Sequence, residues 1–306
     1  MVDKHQFQQK HHKGVKQITK EYNVYMKALP LPNNIGPFIK HTKEPNAIQY
    51  GTLYNLEVEV DVPYEKKRIL RVYLPEDYDG KKKYPVMYMT DAQNAVDKYL
   101  TAYGEWDIDE HMHELLEKGY KSFIIAGLDC PKRPINRARE YVLDKAHLKG
   151  KILQTKGYGM KYAKFMVDVV KPLVDKNFQT LPDKQHTAFG GSSMGGLCSF
   201  DIVSLFPDTF SFALTFSPAF FVLNRKEYQK EIKSRLFKIN EQKFFFFTGK
   251  LDLDAKIHPG TVEMYEYMKS LGYDDEHVAL IVDENMGHHE SSWSHYFNDA
   301  AMFWQK

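Results

Sequence analysis

Short apolar and β-branched runs recur along the chain, separated by longer stretches in which apolar residues return every three or four positions. Runs at 52–60, 67–74, 85–90, 122–128, 185–190, 211–217, 243–249 and 277–283 have the length and composition of strands. Helical periodicity occupies 105–118, 158–178, 196–206, 225–237, 260–271 and 294–304. From the third strand onward the two patterns alternate. That order predicts an α/β fold with a mostly parallel eight-stranded sheet, helices on both faces and an antiparallel hairpin at its start. The run Phe244-Phe245-Phe246-Phe247 is apolar on both sides, as a central strand requires.

The first fifty residues break this rhythm. Pro30, Pro32, Pro37 and Pro45, with Gly36 and Asn33-Asn34, interrupt any long element. Residues 1–50 are therefore read as an irregular arm with a short helix at 17–27, and 51–306 as a single α/β domain.

Against this pattern, the stretch His186-Thr187-Ala188-Phe189-Gly190-Gly191-Ser192-Ser193-Met194-Gly195-Gly196-Leu197 joins an apolar run, a G-x-S-x-G turn and a helix start. A sharp strand-to-helix turn lifts a serine hydroxyl out of the sheet only if flanking side chains are absent, which Gly191 and Gly195 arrange. The helix that follows directs its positive end toward Ser193, the candidate nucleophile. Asp252 and Asp254 come just after the seventh strand, and His288 and His289 just after the eighth. The resulting order Ser, Asp, His is that of the α/β-hydrolases. All the candidates fall at carboxyl ends of strands, where open α/β sheets bind ligands.

Several further segments bear on this order: Val72-Tyr73-Leu74-Pro75 with Tyr78; Tyr84-Pro85-Val86-Met87-Tyr88-Met89-Thr90-Asp91; Arg137-Ala138-Arg139-Glu140-Tyr141; Phe216-Ser217-Pro218-Ala219; and Gly287-His288 followed by Trp293. Together with the serine turn, they resemble the esterase-D-like branch of the α/β-hydrolases over the chain from about residue 51 to its end. That family includes feruloyl, acetylxylan and siderophore esterases, S-formylglutathione hydrolase and mycolyltransferases. The resemblance implies the α/β-hydrolase fold and a serine carboxylic-ester hydrolase acting on a small acyl or aromatic acyl ester of feruloyl or acetyl type. Alternatives on the same scaffold are a siderophore trilactone esterase, an acyltransferase or a non-catalytic binding protein.

Tryptophan five residues after the catalytic histidine is the family pattern, which selects His288 over His289. The family spacing from Gly249 favours Asp252 over Asp254 as the acid, although some siderophore-type relatives use a Ser-His pair alone. The oxyanion hole is expected from the backbone N–H of Met194 and one in the turn Asp91-Ala92-Gln93-Asn94, with Gln93 the choice and Ala92 the alternative. Ala92 stands where the family carries glycine. Ala92, Arg137 and Trp293 are the expected substrate-binding residues. Arg137 has a competing structural reading as an ion pair with Glu140, and 141–157 is read as part of a small lid.

Composition narrows the remaining choices. With 306 residues, 43% hydrophobic and 14% aromatic, the chain can bury a large core. A net charge of +2 without a recognition motif argues against nucleic-acid partners. Cys130 and Cys198 have no metal spacing and are expected to be reduced; His111 and His113 fall on different sides of a helix. The expectations are no metal, no cofactor and a small-molecule ester as partner, with homo-oligomerisation left open. A polar 1–20 segment and the absence of an 18-residue apolar run give a cytoplasmic, non-membrane reading.

Overall fold

The computed structural model describes residues 36–41, 48–101, 103–142, 157–236 and 239–306. The nine strands among them are β1 (Ile39–Lys40), β2 (Thr52–Val62), β3 (Glu65–Leu74), β4 (Val86–Met89), β5 (Ile124–Leu128), β6 (Thr187–Ser192), β7 (Phe212–Phe216), β8 (Lys243–Gly249) and β9 (Val278–Asp283). They form one sheet in the order β1-β2-β3-β5-β4-β6-β7-β8-β9. Pairing is antiparallel from β1 through β3 to β5, and parallel from β5 to β9. The eight expected strands are β2 to β9.

The ninth is a difference. Ile39 and Lys40, inside the stretch read as an irregular arm, pair with Asn55 and Tyr54 and lengthen the antiparallel edge. The helix expected at 17–27 lies outside the described residues, as does most of the 141–157 segment.

The sheet separates two apolar layers, and β8 shows how one sequence serves both. Phe244 and Phe246 join the layer containing Tyr88, Phe189, Phe200 and Met264, while Phe245 and Phe247 join Met87, Ala188, Phe212 and Trp304. Successive side chains alternate across a strand, so four consecutive phenylalanines fill both sides. Each is worth about 1.5–3 kcal/mol when fully buried.

The helices are α1 (Ile108–Glu117), α2 (Pro134–Glu140), α3 (Gly159–Phe165), α4 (Lys171–Asn177), α5 (Met194–Leu205), α6 (Arg225–Arg235), α7 (Asp254–Leu271), α8 (Glu290–His295) and α9 (Phe297–Gln305). A π-helical turn, Met166–Val170, joins α3 to α4. Two helices depart from expectation. Helix α2 was not expected from the pattern, being only two turns long and opening on Pro134. Helix α7 begins six residues before the expected start and carries Pro259 in its second turn. There proline removes the hydrogen bond its N–H would have made to the carbonyl four residues earlier.

The strand order reverses at β4. The chain passes from β4 to β5 on one side and then returns to β6 on the other. The carboxyl ends of β4 and β6 therefore bound a crevice at a topological switch point.

Behind it, a buried polar network ties α5 to α6. Asp201 Oδ1 accepts from Tyr228 Oη at 2.7 Å and from Arg235 Nη1 at 2.7 Å. Truncation of such a pair leaves a poorly compensated buried charge. Asp201→Ala is expected to lower unfolding stability by about 3 kcal/mol in urea titration, and a loss below about 0.5 kcal/mol would contradict a structural role for the network.

Candidate active site

At the end of β6, Ser193 takes φ 60° and ψ −124°, a conformation that side-chain-bearing residues seldom adopt. Hydrogen bonds fix it there. Its N–H donates to Phe216 O at 2.9 Å, and its carbonyl accepts from Leu197 N at 3.1 Å and Ala219 N at 3.0 Å. Gly191 and Gly195 are required by what lies opposite: a Cβ at either would come within 2.1 or 2.2 Å of Thr90 Oγ1. Thr90 is thus wedged into the turn from the end of β4.

The loop after β9 brings His288 to this serine. His288 Nε2 lies 2.9 Å from Ser193 Oγ, and Nδ1 lies 2.7 Å from Asp254 Oδ1. A carboxylate only accepts, so it selects the tautomer with the proton on Nδ1 and leaves Nε2 facing the hydroxyl as a base. Asp254 is fully buried at the first position of α7. Its second oxygen accepts from Gly249 N–H at 2.9 Å and Ser217 Oγ–H at 2.7 Å.

The acid expected from sequence, Asp252, is displaced from that position. It sits exposed in the turn between β8 and α7 at φ 52°, with its carboxylate against Gly287. The early start of α7 carries Asp254 inward instead, so Asp254 replaces Asp252 as the histidine's partner. His289 accepts from Ser291 N–H and caps α8, which accounts for two adjacent histidines with different surroundings.

Trp293 is buried and supports the imidazole. Its ring meets His288 edge-on at 5.1 Å, and its indole N–H donates to Ser217 Oγ at 3.1 Å. Expected at the substrate, it instead packs against His288 and is joined to Asp254 through Ser217. Ser217, which joins Trp293 to Asp254, was quoted in the Phe216–Ala219 segment without a role.

Opposite the histidine, residues Ala92–Asn94 form a single 3-10 turn entered through Asp91 in the left-handed region, φ 52° and ψ 45°. The first N–H groups of such a turn, Ala92 and Gln93, have no partner within it, and neither does Met194 at the start of α5. The left-handed residue is Asp91, so alanine at position 92 needs no special backbone. The Ala92 side chain, expected at the substrate, is itself buried. The Gln93 side chain is held down on the loop after β5, its Oε1 accepting from Cys130 N–H at 2.9 Å.

Arg137 does not make the ion pair with Glu140 that the sequence suggested. Its guanidinium grips Asp91, with Nε to Oδ1 at 2.6 Å and Nη2 to Oδ2 at 2.9 Å. Glu140 is taken by Arg68 and by Tyr64 Oη instead. Among the described residues, no group of three or more His, Cys, Asp or Glu is placed to hold a metal ion, and no helix is long and apolar enough to cross a membrane.

With this geometry in place, comparison with known proteins is informative. A family model described as putative esterase matches residues 63–242. YbbA of Bacillus subtilis, described as uncharacterized, is 21% identical over 246 residues, covering 76% of this chain and 90% of its own. Among solved structures, the BES protein from Bacillus cereus aligns with a TM-score of 0.67 at 18% identity, covering 87% of this chain and 99% of its own. The feruloyl esterase module from Clostridium thermocellum, crystallised with sinapinate, aligns at 0.63 and 17% identity, covering 89% and 96%. Siderophore hydrolase EstA from Aspergillus nidulans aligns at 0.64 and 14% identity, covering 88% and 98%. At these identities the structural likeness establishes the α/β-hydrolase fold.

Two predictions follow from the packing. Gly195→Ala, which in an ordinary helix gains about 1 kcal/mol, is expected here to cost about 1–3 kcal/mol through contact with Thr90; a rise in stability on urea unfolding would show that the contact yields freely. The second concerns Glu105, in the segment between the 92–94 turn and α1. Burial, and then the Asp107 and Glu110 carboxylates, push its carboxyl up to about 7 from 4.5. The folded chain thus holds a proton that the unfolded chain releases, and stability falls as pH rises from about 4.5 to about 7. Thermal melting across this interval should fall less steeply in Glu105→Gln than in the unaltered protein, and equal slopes would count against it.

Proposed function

The chain belongs to the putative esterase family, and from that premise we propose that it is a serine carboxylic-ester hydrolase working through an acyl-enzyme. The observation that carries this reading is the continuous contact from Ser193 Oγ through His288 to the buried Asp254. In this mechanism His288 Nε2 removes the Ser193 proton as Oγ attacks the ester carbonyl. Asp254 orients the ring and stabilises its charged form without itself taking the proton. The tetrahedral oxyanion is received by the N–H of Met194 and by one from the Ala92–Asn94 turn, with Gln93 the expected donor. His288 then protonates the leaving alcohol, and a water activated by the same nitrogen hydrolyses the acyl-enzyme.

The proposed substrate is an ester of a small or aromatic acyl group, a reading supported by an exposed aromatic residue near the histidine loop. Tyr103 is 71% exposed. Its neighbour Gly104 packs close to the loop of the histidine, since a Cβ there would lie 3.5 Å from His289 Cε1. The feruloyl esterase among the structural relatives is consistent with an aromatic acyl group.

The test compares hydrolysis of acetyl, butyryl and feruloyl esters by the parent and three variants. Ser193→Ala is expected to lose at least about 10³-fold in kcat and Asp254→Asn about 10⁴-fold, since an amide favours the wrong tautomer. Asp252→Asn should stay within about threefold of the parent. Retention of activity by Ser193→Ala would end the nucleophile assignment, and equal losses in the two asparagine variants would end that of Asp254.

A further inference from the structure

Beside the turn that supplies an oxyanion donor, the chain places a carboxylate. Asp91 enters that turn in the left-handed conformation, and its Oδ2 lies 3.1 Å from where a Cβ on Gly195 would be. Gly195 directly follows Met194, whose N–H is the other donor. A bare negative charge here would oppose the oxyanion as it forms, most strongly in a water-excluded site. The Asp91 side chain is only 10% exposed, so solvent does little to screen it.

We propose that Arg137 is a positioning residue for the reaction: its guanidinium neutralises Asp91 and holds the turn's left-handed entry, so the oxyanion forms beside a compensated pair. The inference rests on Ser193 acting as the nucleophile. Both oxygens of Asp91 are engaged by the planar fork of Arg137, a bidentate geometry that fixes direction as well as charge. The fork is held in turn by Tyr141, whose buried ring lies 5.0 Å from the guanidinium carbon. The Tyr141 hydroxyl accepts from Asp91 N–H at 3.2 Å, so the backbone at the turn's entry and the cation that offsets its charge share one support. Arg137, Glu140 and Tyr141 come from α2 and its C-terminal end, and Glu140 anchors that helix to β3 through Arg68. With two of its N–H groups already spent on Asp91, Arg137 is poorly placed to seize an acidic substrate.

The experiment measures p-nitrophenyl acetate hydrolysis by the parent, Arg137→Gln, Arg137→Lys and the double variant Asp91→Asn/Arg137→Gln, with labelling of Ser193 by a serine-directed phosphonate. Asparagine keeps the shape of Asp91 and tolerates the left-handed backbone, but carries no charge. Arg137→Gln is expected to lower kcat about 10- to 100-fold, short of the loss on removing an oxyanion donor, with KM within about twofold. Arg137→Lys, which keeps charge but not the fork, should fall between. The double variant should recover to within about threefold of the parent, because its turn holds no uncompensated charge. A raised KM with unchanged kcat in Arg137→Gln would make Arg137 a substrate contact and overturn the proposal. A double variant as impaired as the single would reduce the pair to a structural brace, with the same consequence. If Arg137→Gln does not fold, the double variant alone decides by the same threshold. Failure of the parent to be labelled at Ser193 is a separate outcome, which removes the nucleophile assignment and this inference with it.

Discussion

A carboxylate with no exposed surface is the constraint around which the site is arranged. Moving Asp254 out of water is tolerable only if both its oxygens are met by donors. Those donors come from three parts of the fold: the end of β8 through Gly249, the loop after β7 through Ser217, and the loop after β9 through His288. Satisfying one buried charge therefore fixes the relative placement of three loops. Trp293 extends the chain of donors by one step and ties α8 to the same point.

The second centre of order is the serine turn. Its unfavourable backbone persists because hydrogen bonds from β7 and from the segment after it hold Ser193 on either side, while Thr90 fills the space that glycines leave open. Both centres meet at the reversal of strand order between β5, β4 and β6. One side of the crevice carries Ser193 and His288; the other carries the 92–94 turn, held by Gln93 on the Cys130 loop and by Asp91 on α2.

The sheet was legible from sequence because central strands buried on both faces leave apolar runs and the antiparallel β2 leaves an alternating one, and each of the eight appears as a strand. Ile39–Lys40 was missed because a two-residue edge strand has too few positions to show a period. Ser193 and His288 were legible because the geometry they require leaves glycines and a spaced tryptophan behind. Asp254 was not, since the family spacing from Gly249 favoured Asp252 and the choice between the two depends on where α7 begins. The partner of Arg137 was hidden for a different reason. Asp91 lies 46 positions away, and a long-range ion pair leaves no local spacing to read.

The contacts among Ser193, His288 and Asp254 are pinned by main-chain bonds and buried side chains, while several large side chains nearby in sequence stand outside them. Tyr103, Ile135, Leu251 and Leu253 stand exposed on segments that follow β4, β5 and β8. Exchanging them leaves the donors to Asp254 and the wedge at Thr90 untouched. Side chains at these four positions can therefore vary under selection without disturbing the buried contacts that hold Ser193, His288 and Asp254 together, so the scaffold separates what must stay fixed from what is free to change.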